Sequence, residues 1–206
     1  MTAATATPAR TRSTARDLAQ IAVFAALIAA LGVPGALYLG GGAVPITFQT
    51  LGVMLAGAVL GARKGFLSVL LLEVLVLAGL PLLSGGRGGI AVFAGPSAGY
   101  LFGWLLGVLV IGWLTARLLP RYRVWTALVA TAFGGIVAVY LIGVPWTAVA
   151  LDLPLGAALV SAAVFLPGDI LKVVVTVLIA KGVHRARPGL IEPRPWPWRR
   201  PTATAA

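Results

Sequence analysis

AGYLFGWLLGVLVIGWLTARLL, residues 98–119, has a single charge, Arg117, placed near its end. An α-helix needs about 20 mostly apolar residues to cross the hydrocarbon core of a bilayer. The stretch meets that requirement and predicts a membrane-spanning helix. Five further apolar segments surround it: 18–39 (loosened near Pro34 and Gly35), 47–61, 65–80, 125–144 and 155–180. The second segment is short for a full crossing and the third marginally so. Both count as spans because turn residues and charges bound them. The second is expected to tilt little or to pack inside the bundle.

The composition agrees. Hydrophobic residues make up 60% of the chain and charged residues 10%, with a mean hydropathy of +1.01. A soluble domain is nearer half apolar, with about a quarter of its residues charged. Lipid is therefore the solvent for most of this chain. A net charge of +11 would suggest nucleic acid in a soluble protein. Here the basic residues punctuate the apolar segments, which is how membrane topology is written, and no nucleic-acid partner is expected. Cysteine is absent, which excludes disulfides, thiolate nucleophiles and thiolate metal ligands.

Counting basic residues fixes the expected topology. With a cytoplasmic amino terminus and six spans, the inside holds Arg10, Arg12, Arg16, Arg63, Lys64, Arg117, Arg121 and Arg123. It also holds Lys181, Arg185, Arg187, Arg194, Arg199 and Arg200, fourteen of the 16 Lys and Arg residues in all. Only Arg87 falls in an outside loop, and Lys172 falls within a span. An odd number of spans would strand one arginine-rich terminus outside, against the positive-inside bias. The fold class expected is an all-α, multi-pass protein of the cell membrane, with six transmembrane helices and both termini cytoplasmic. Residues 1–16 read as a disordered tail and 17–183 as the transmembrane domain. Residues 184–206 read as a basic Pro/Trp-rich tail, with Trp196 and Trp198 at the lipid headgroups. A signal peptide suits the start less well, because its apolar run is long and five more follow.

Chemistry concentrates in a few places. In Phe165-Leu166-Pro167-Gly168-Asp169-Ile170-Leu171-Lys172, Pro167 and Gly168 interrupt a span near its middle. Asp169 and Lys172, three residues apart, share a helix face and can pair. Each costs about 2.5 to 3.5 kcal/mol at a helix centre, so neither should face lipid, and charges inside a membrane are functional candidates by default. A purely structural ion pair is the competing reading. Two glycine-rich outside connections, residues 40–45 and 85–89, lie beside the polar run Thr47-Phe48-Gln49-Thr50. Glycine lets backbone approach a ligand closely, and paired loops on one side suggest a lid over a pocket rather than two flexible surface loops. Glu73 is another acid within a span, without an identified partner. Ala22, Ala26 and Ala30 recur at four-residue spacing in the first span, and Gly103 and Gly107 in the fourth. Such small-residue faces permit close helix approach, although alanine is common enough here for coincidence. The chain has no G-x-x-x-x-G-K-[ST] phosphate loop. Its single histidine, His184, lacks companions at metal-ligand or triad spacing. No metal, cofactor or catalytic residue is expected. An enzyme would have to run on Asp169, Lys172 or Glu73.

Taken together, four motifs in order resemble the BioY family of biotin transporters. They are Val44-Pro45-Ile46-Thr47-Phe48-Gln49-Thr50-Leu51-Gly52, the glycine loop 85–89, Gly95-Pro96-Ser97-Ala98-Gly99-Tyr100 and Gly168-Asp169-Ile170-Leu171-Lys172. The resemblance covers roughly residues 18–181. It implies a six-helix substrate-binding S component of an energy-coupling-factor (ECF) transporter, with a biotin pocket near the outer face. It also implies a transmembrane coupling protein and two separate cytoplasmic ATPases as partners, which fits the missing phosphate loop. Under it, Asp169 and Lys172 contact biotin, with Asp169 accepting the ureido N–H bonds and Lys172 pairing with it and donating to the ligand. Residues 45–50 and the glycine loop before Tyr100, with Gly88 and Gly89, line or close the pocket. The chemistry of biotin, rather than the resemblance, adds Gln49 and Thr47 as polar contacts, Tyr100 as an apolar wall with a hydroxyl, and Arg87, the one cation expected outside, for the carboxylate. The face made by Ala22, Ala26 and Ala30 meets the coupling protein. Other readings are an S component for a different vitamin, an intramembrane enzyme using Asp169 and Lys172 as acid and base, and a passive channel.

Overall fold

The computed structural model describes residues 11–35 and 44–194, and these form helices joined by turns and, between residues 77 and 98, by a longer connection. The helices are α1 (Thr11–Ala30), α2 (Gln49–Leu77), α3 (Ala98–Leu118), α4 (Val124–Ala132), α5 (Val139–Ala150), α6 (Leu155–Ala163) and α7 (Leu166–Ala186). A 3-10 turn spans Ile90–Phe93 and a π-helical turn spans Phe133–Ala138. The π turn makes α4 and α5 one continuous rod, Val124–Ala150. That rod and α3 are each long and apolar enough to cross a membrane; α6 and α7 qualify as a pair bent by 54°. Outward faces carry large apolar side chains, among them Val129, Leu141, Val149, Val160 and Leu178. Such continuous apolar exposure is what lipid, not water, accepts.

The expected second and third spans form one element broken at Gly61, where φ is 81° and ψ is 178°. The chain folds back there. A Cβ on Gly65 would lie 2.8 Å from the Ala56 carbonyl oxygen, and at the far end Gln49 reaches the Leu82 carbonyl. Residues 52–61 are all buried, so the short second segment does pack inside the bundle. α3 runs along this hairpin on one side and along the α4–α5 rod on the other. Gly103 and Gly107 face inward to that rod: a Cβ at either would stand 2.7 Å from the carbonyl oxygen of Val139 or Gly134. The small-residue pair read in the fourth span is thus used within the chain. On α1, Ala25 is buried, whereas Ala22, Ala26 and Ala30 are exposed on the outer face.

Several boundaries differ from those expected. α1 begins at Thr11, inside the segment 1–16 expected as a disordered tail, and the α4–α5 rod continues past residue 144 to Ala150. α1 ends at Ala30, and turns follow through Pro34, because Gly32 and Pro34-Gly35 stop the helix that its apolar composition would extend. At the other end, α7 runs to Ala186, and the segment after it packs on the bundle. Ile191 is 7% exposed and lies 3.4 Å from the Cβ position of Gly61. The Arg194 N–H donates to the Ala116 carbonyl at 2.9 Å. Leu190 and Ile191, two apolar residues in a polar tail, pack it under the α2 turn. Residues 1–10, residues 40–43 of the first glycine-rich connection, and Trp196 and Trp198 lie outside the described residues.

Candidate functional site

A break in the last helical pair creates the site. α6 ends at Ala163, and α7 restarts at Leu166 with Pro167 in its first turn, where a missing N–H costs nothing. Asp169 therefore sits in the first turn of α7, where the helix dipole favours a carboxylate. Its backbone N–H donates to the Phe165 carbonyl at 2.9 Å. One helical turn on, Lys172 Nζ donates to Asp169 Oδ1 at 2.9 Å and to Thr50 Oγ1 at 2.8 Å. The Tyr140 hydroxyl donates to Asp169 Oδ2 at 2.8 Å. Asp169 is 5% and Lys172 7% exposed. Both line a cavity closed by Val44, Pro45, Ile46 and Thr47 and walled by α3, α5 and α7.

This arrangement leaves capacity unused. An ammonium has three donors and a carboxylate about four acceptor sites. Two are engaged on each of Lys172 and Asp169 among the described residues. The Trp104 indole N–H, on the same cavity wall, is buried without a partner among the described residues. A buried donor left unpaired costs about 1 to 3 kcal/mol. A ligand with two N–H groups and a carbonyl would satisfy all three groups at once. The rest of the lining suits an apolar body. Tyr100 stands edge-on to Tyr140 and to Phe165, with ring centroids 6.0 Å apart in both cases.

The residues singled out from sequence separate into groups. Asp169, Lys172, Thr47, Gln49, Tyr100 and Arg87 all line the cavity. Gln49 does so with its amide already committed. Its Nε2 donates to the carbonyls of Ile28 and Leu82, and its Oε1 accepts from the Ser84 N–H. It staples α1, α2 and the glycine loop together beneath the cavity. Thr47 Oγ1 accepts from the Gln49 N–H at 3.2 Å. Arg87 donates from Nε to the Ser84 carbonyl and from a terminal nitrogen to Ser97 Oγ, which leaves further guanidinium donors. Gly88 and Gly89 stand behind the wall: a Cβ at Gly88 would strike the Leu80 carbonyl, and the Gly89 N–H donates to Val76. They shape the loop that carries Arg87.

Tyr140 and Trp104 escaped the sequence reading. The available signal was position: both are amphipathic aromatics deep within apolar segments, away from the interfaces where such residues usually gather. The π turn just before Tyr140 is the kind of irregularity often found beside functional sites. Glu73 is buried, with one carboxylate oxygen unpartnered among the described residues, and does not line this cavity. Among the described residues no group of three or more His, Asp or Glu side chains is placed to hold a metal.

A model of the BioY family matches residues 4–189. The chain is similar to the biotin transporter BioY of Rhizobium etli, at 46% identity over 173 residues, covering 82% of this chain and 92% of that protein. It is similar to the biotin transporter BioY of Rhodobacter capsulatus at 45% identity over 185 residues, covering 85% and 97%. Among solved structures, it matches the crystal structure of an S-component for biotin from an ECF-type ABC transporter with a TM-score of 0.83. That match has 34% identity and covers 87% of this chain and 96% of the other.

Proposed function

The chain belongs to the BioY family, and on that footing we propose that it takes up biotin as the S component of an ECF-type transporter. It is a multi-pass membrane protein and not an enzyme. The observation that carries the reading is the cluster Asp169–Lys172–Thr50–Tyr140 opening on an aromatic-walled cavity. Asp169 accepts the ureido N–H bonds of biotin, and Lys172 and Trp104 donate to its carbonyl. Tyr100, Tyr140 and Phe165 enclose the bicycle. The membrane topology that suits this role has six spans and both termini cytoplasmic, supported by the distribution of Lys and Arg.

Arg87 takes the biotin carboxylate, since its guanidinium edges the cavity and retains free donors. Arg87→Gln is expected to weaken biotin binding about ten-fold and leave biotin methyl ester nearly unchanged. Titrating both ligands into the purified variant checks this, and an equal loss for both would remove Arg87 from that role.

Energy comes from two cytoplasmic ATPases through a transmembrane coupling protein. The exposed alanine face of α1 (Ala22, Ala26, Ala30) supports that docking, because small residues allow helix backbones to approach closely. Uptake of labelled biotin by biotin-auxotrophic cells expressing this chain, with and without the energising subunits, tests the whole reading. Biotin-specific accumulation supports it. No accumulation in either strain, from protein present in the membrane, would overturn it.

A further inference from the structure

At the end of the molecule opposite the biotin cavity, the turn 119–123, the last turns of α7 and the tail through Pro193 enclose a second cavity of about 300 Å³. Lys181 and Arg185 line it, and an adjoining cavity that shares Leu119 and Pro120 is lined by Arg117, Arg121 and Arg123. Neither lining contains an acid. Glu192, next to the lining residue Ile191, is exposed. The ion pairs among the described residues lie elsewhere, at Asp17–Lys64 and Asp169–Lys172. Lys181, Arg185, Arg121 and Arg123 thus gather around one turn, with no carboxylate in either lining.

Tyr122 lines the cavity that holds Lys181 and Arg185 and adds a donor beside it. The Tyr122 hydroxyl is buried and has no hydrogen-bond partner among the described residues. Burial pushes it up to about 12, so it keeps its proton. Its ring packs against His184, with centroids 5.4 Å apart, and His184 Nε2 lies 2.8 Å from the Ala58 carbonyl oxygen. A carbonyl only accepts, so that nitrogen carries hydrogen and His184 is fixed as the back wall.

The depth also points to a ligand. Trp125 is 81% exposed one turn beyond the site, and the Arg117 guanidinium lies 3.9 Å over the ring of Trp113, itself on the lipid-facing side. Exposed tryptophans of this kind mark the headgroup level of a membrane. Basic pockets between helix ends on the cytoplasmic side suit anionic headgroups.

We propose that the cavity bounded by Tyr122, Lys181 and Arg185 binds a negatively charged phosphate group, either the headgroup of an anionic phospholipid or free phosphate. Lys181 and Arg185 supply charge and Tyr122 a directed hydrogen bond. An occupied site would tie the tail to α3 and α7, closing the base of the bundle.

Native mass spectrometry of the full chain in neutral detergent tests this, with added phosphatidylglycerol, phosphatidylcholine or inorganic phosphate. The wild type is expected to retain one phosphatidylglycerol per chain and much less phosphatidylcholine. Arg185→Gln, an exposed position, should weaken retention about five-fold, and Lys181→Gln with Arg185→Gln about thirty-fold. Biotin binding should be unchanged in both, since neither residue touches that cavity. Lipid retained in the presence of millimolar phosphate identifies the lipid as ligand. Displacement by phosphate, with phosphate itself bound, identifies the free anion. Equal retention of the two lipids with no phosphate bound, or undiminished retention in folded Arg185→Gln, overturns the proposal.

Discussion

Asp169→Asn and Lys172→Ala are each expected to weaken biotin binding by at least ten-fold, about 1.4 kcal/mol, while the protein still inserts and folds. The pair is buried, and its two members answer each other and two further side chains. Removing Lys172 leaves the Asp169 carboxylate with the Tyr140 hydroxyl as its remaining side-chain donor among the described residues. Breaking a buried pair in this way commonly costs about 3 to 5 kcal/mol, because one charge is left uncompensated. Asparagine at 169 keeps the shape but replaces one acceptor oxygen by a donor that meets Lys172 or the ligand's own N–H. A pair that only staples α7 to α2 and α5 would give a different pattern. Thermal stability would then fall in both variants with biotin affinity retained in whatever remained folded. Affinity and melting temperature measured on the same preparations separate the two, and wild-type affinity in both variants would end the assignment.

Gly61→Ala is expected to destabilise the bundle by about 1 to 3 kcal/mol, the cost of holding a side-chain-bearing residue in a conformation open essentially to glycine. At φ 81° and ψ 178° the residue turns the buried hairpin of α2. The turn has no room to shift. α3 approaches so closely at Gly112 that a Cβ there would overlap the Ala62 nitrogen, and Ile191 of the tail closes the other side. Gly182→Ala is the matching control: it sits in α7 with open space around its Cβ position and should be neutral or slightly stabilising. Melting followed by tryptophan fluorescence in one detergent compares them. Equal melting temperatures for Gly61→Ala and wild type would mean that the turn is not fixed as described.

What could be read from the sequence depended on how local the signal was. Membrane residence and helical class follow from runs of apolar residues, a property of consecutive positions. Asp169 and Lys172 stood out because a charge is expensive inside a bilayer wherever its partners lie. The merging of the second and third segments turns on one glycine's backbone angles, which composition does not report. The commitment of Gln49 to Ile28, Leu82 and Ser84 joins residues more than 20 positions apart, so its structural duty was invisible beside its polar neighbours. Tyr140 reaches Asp169 across 29 positions, with a π turn setting its direction. The packing of Ile191 in a tail rich in proline and arginine likewise required the three-dimensional partner.

An S component that captures its substrate unaided binds biotin by itself. Isothermal titration of biotin into the purified full chain in detergent is predicted to give one site per chain with nanomolar affinity, before any coupling protein or ATPase is added. Absence of heat across several temperatures, from protein that melts cooperatively, would contradict it and direct the same titration to other vitamins.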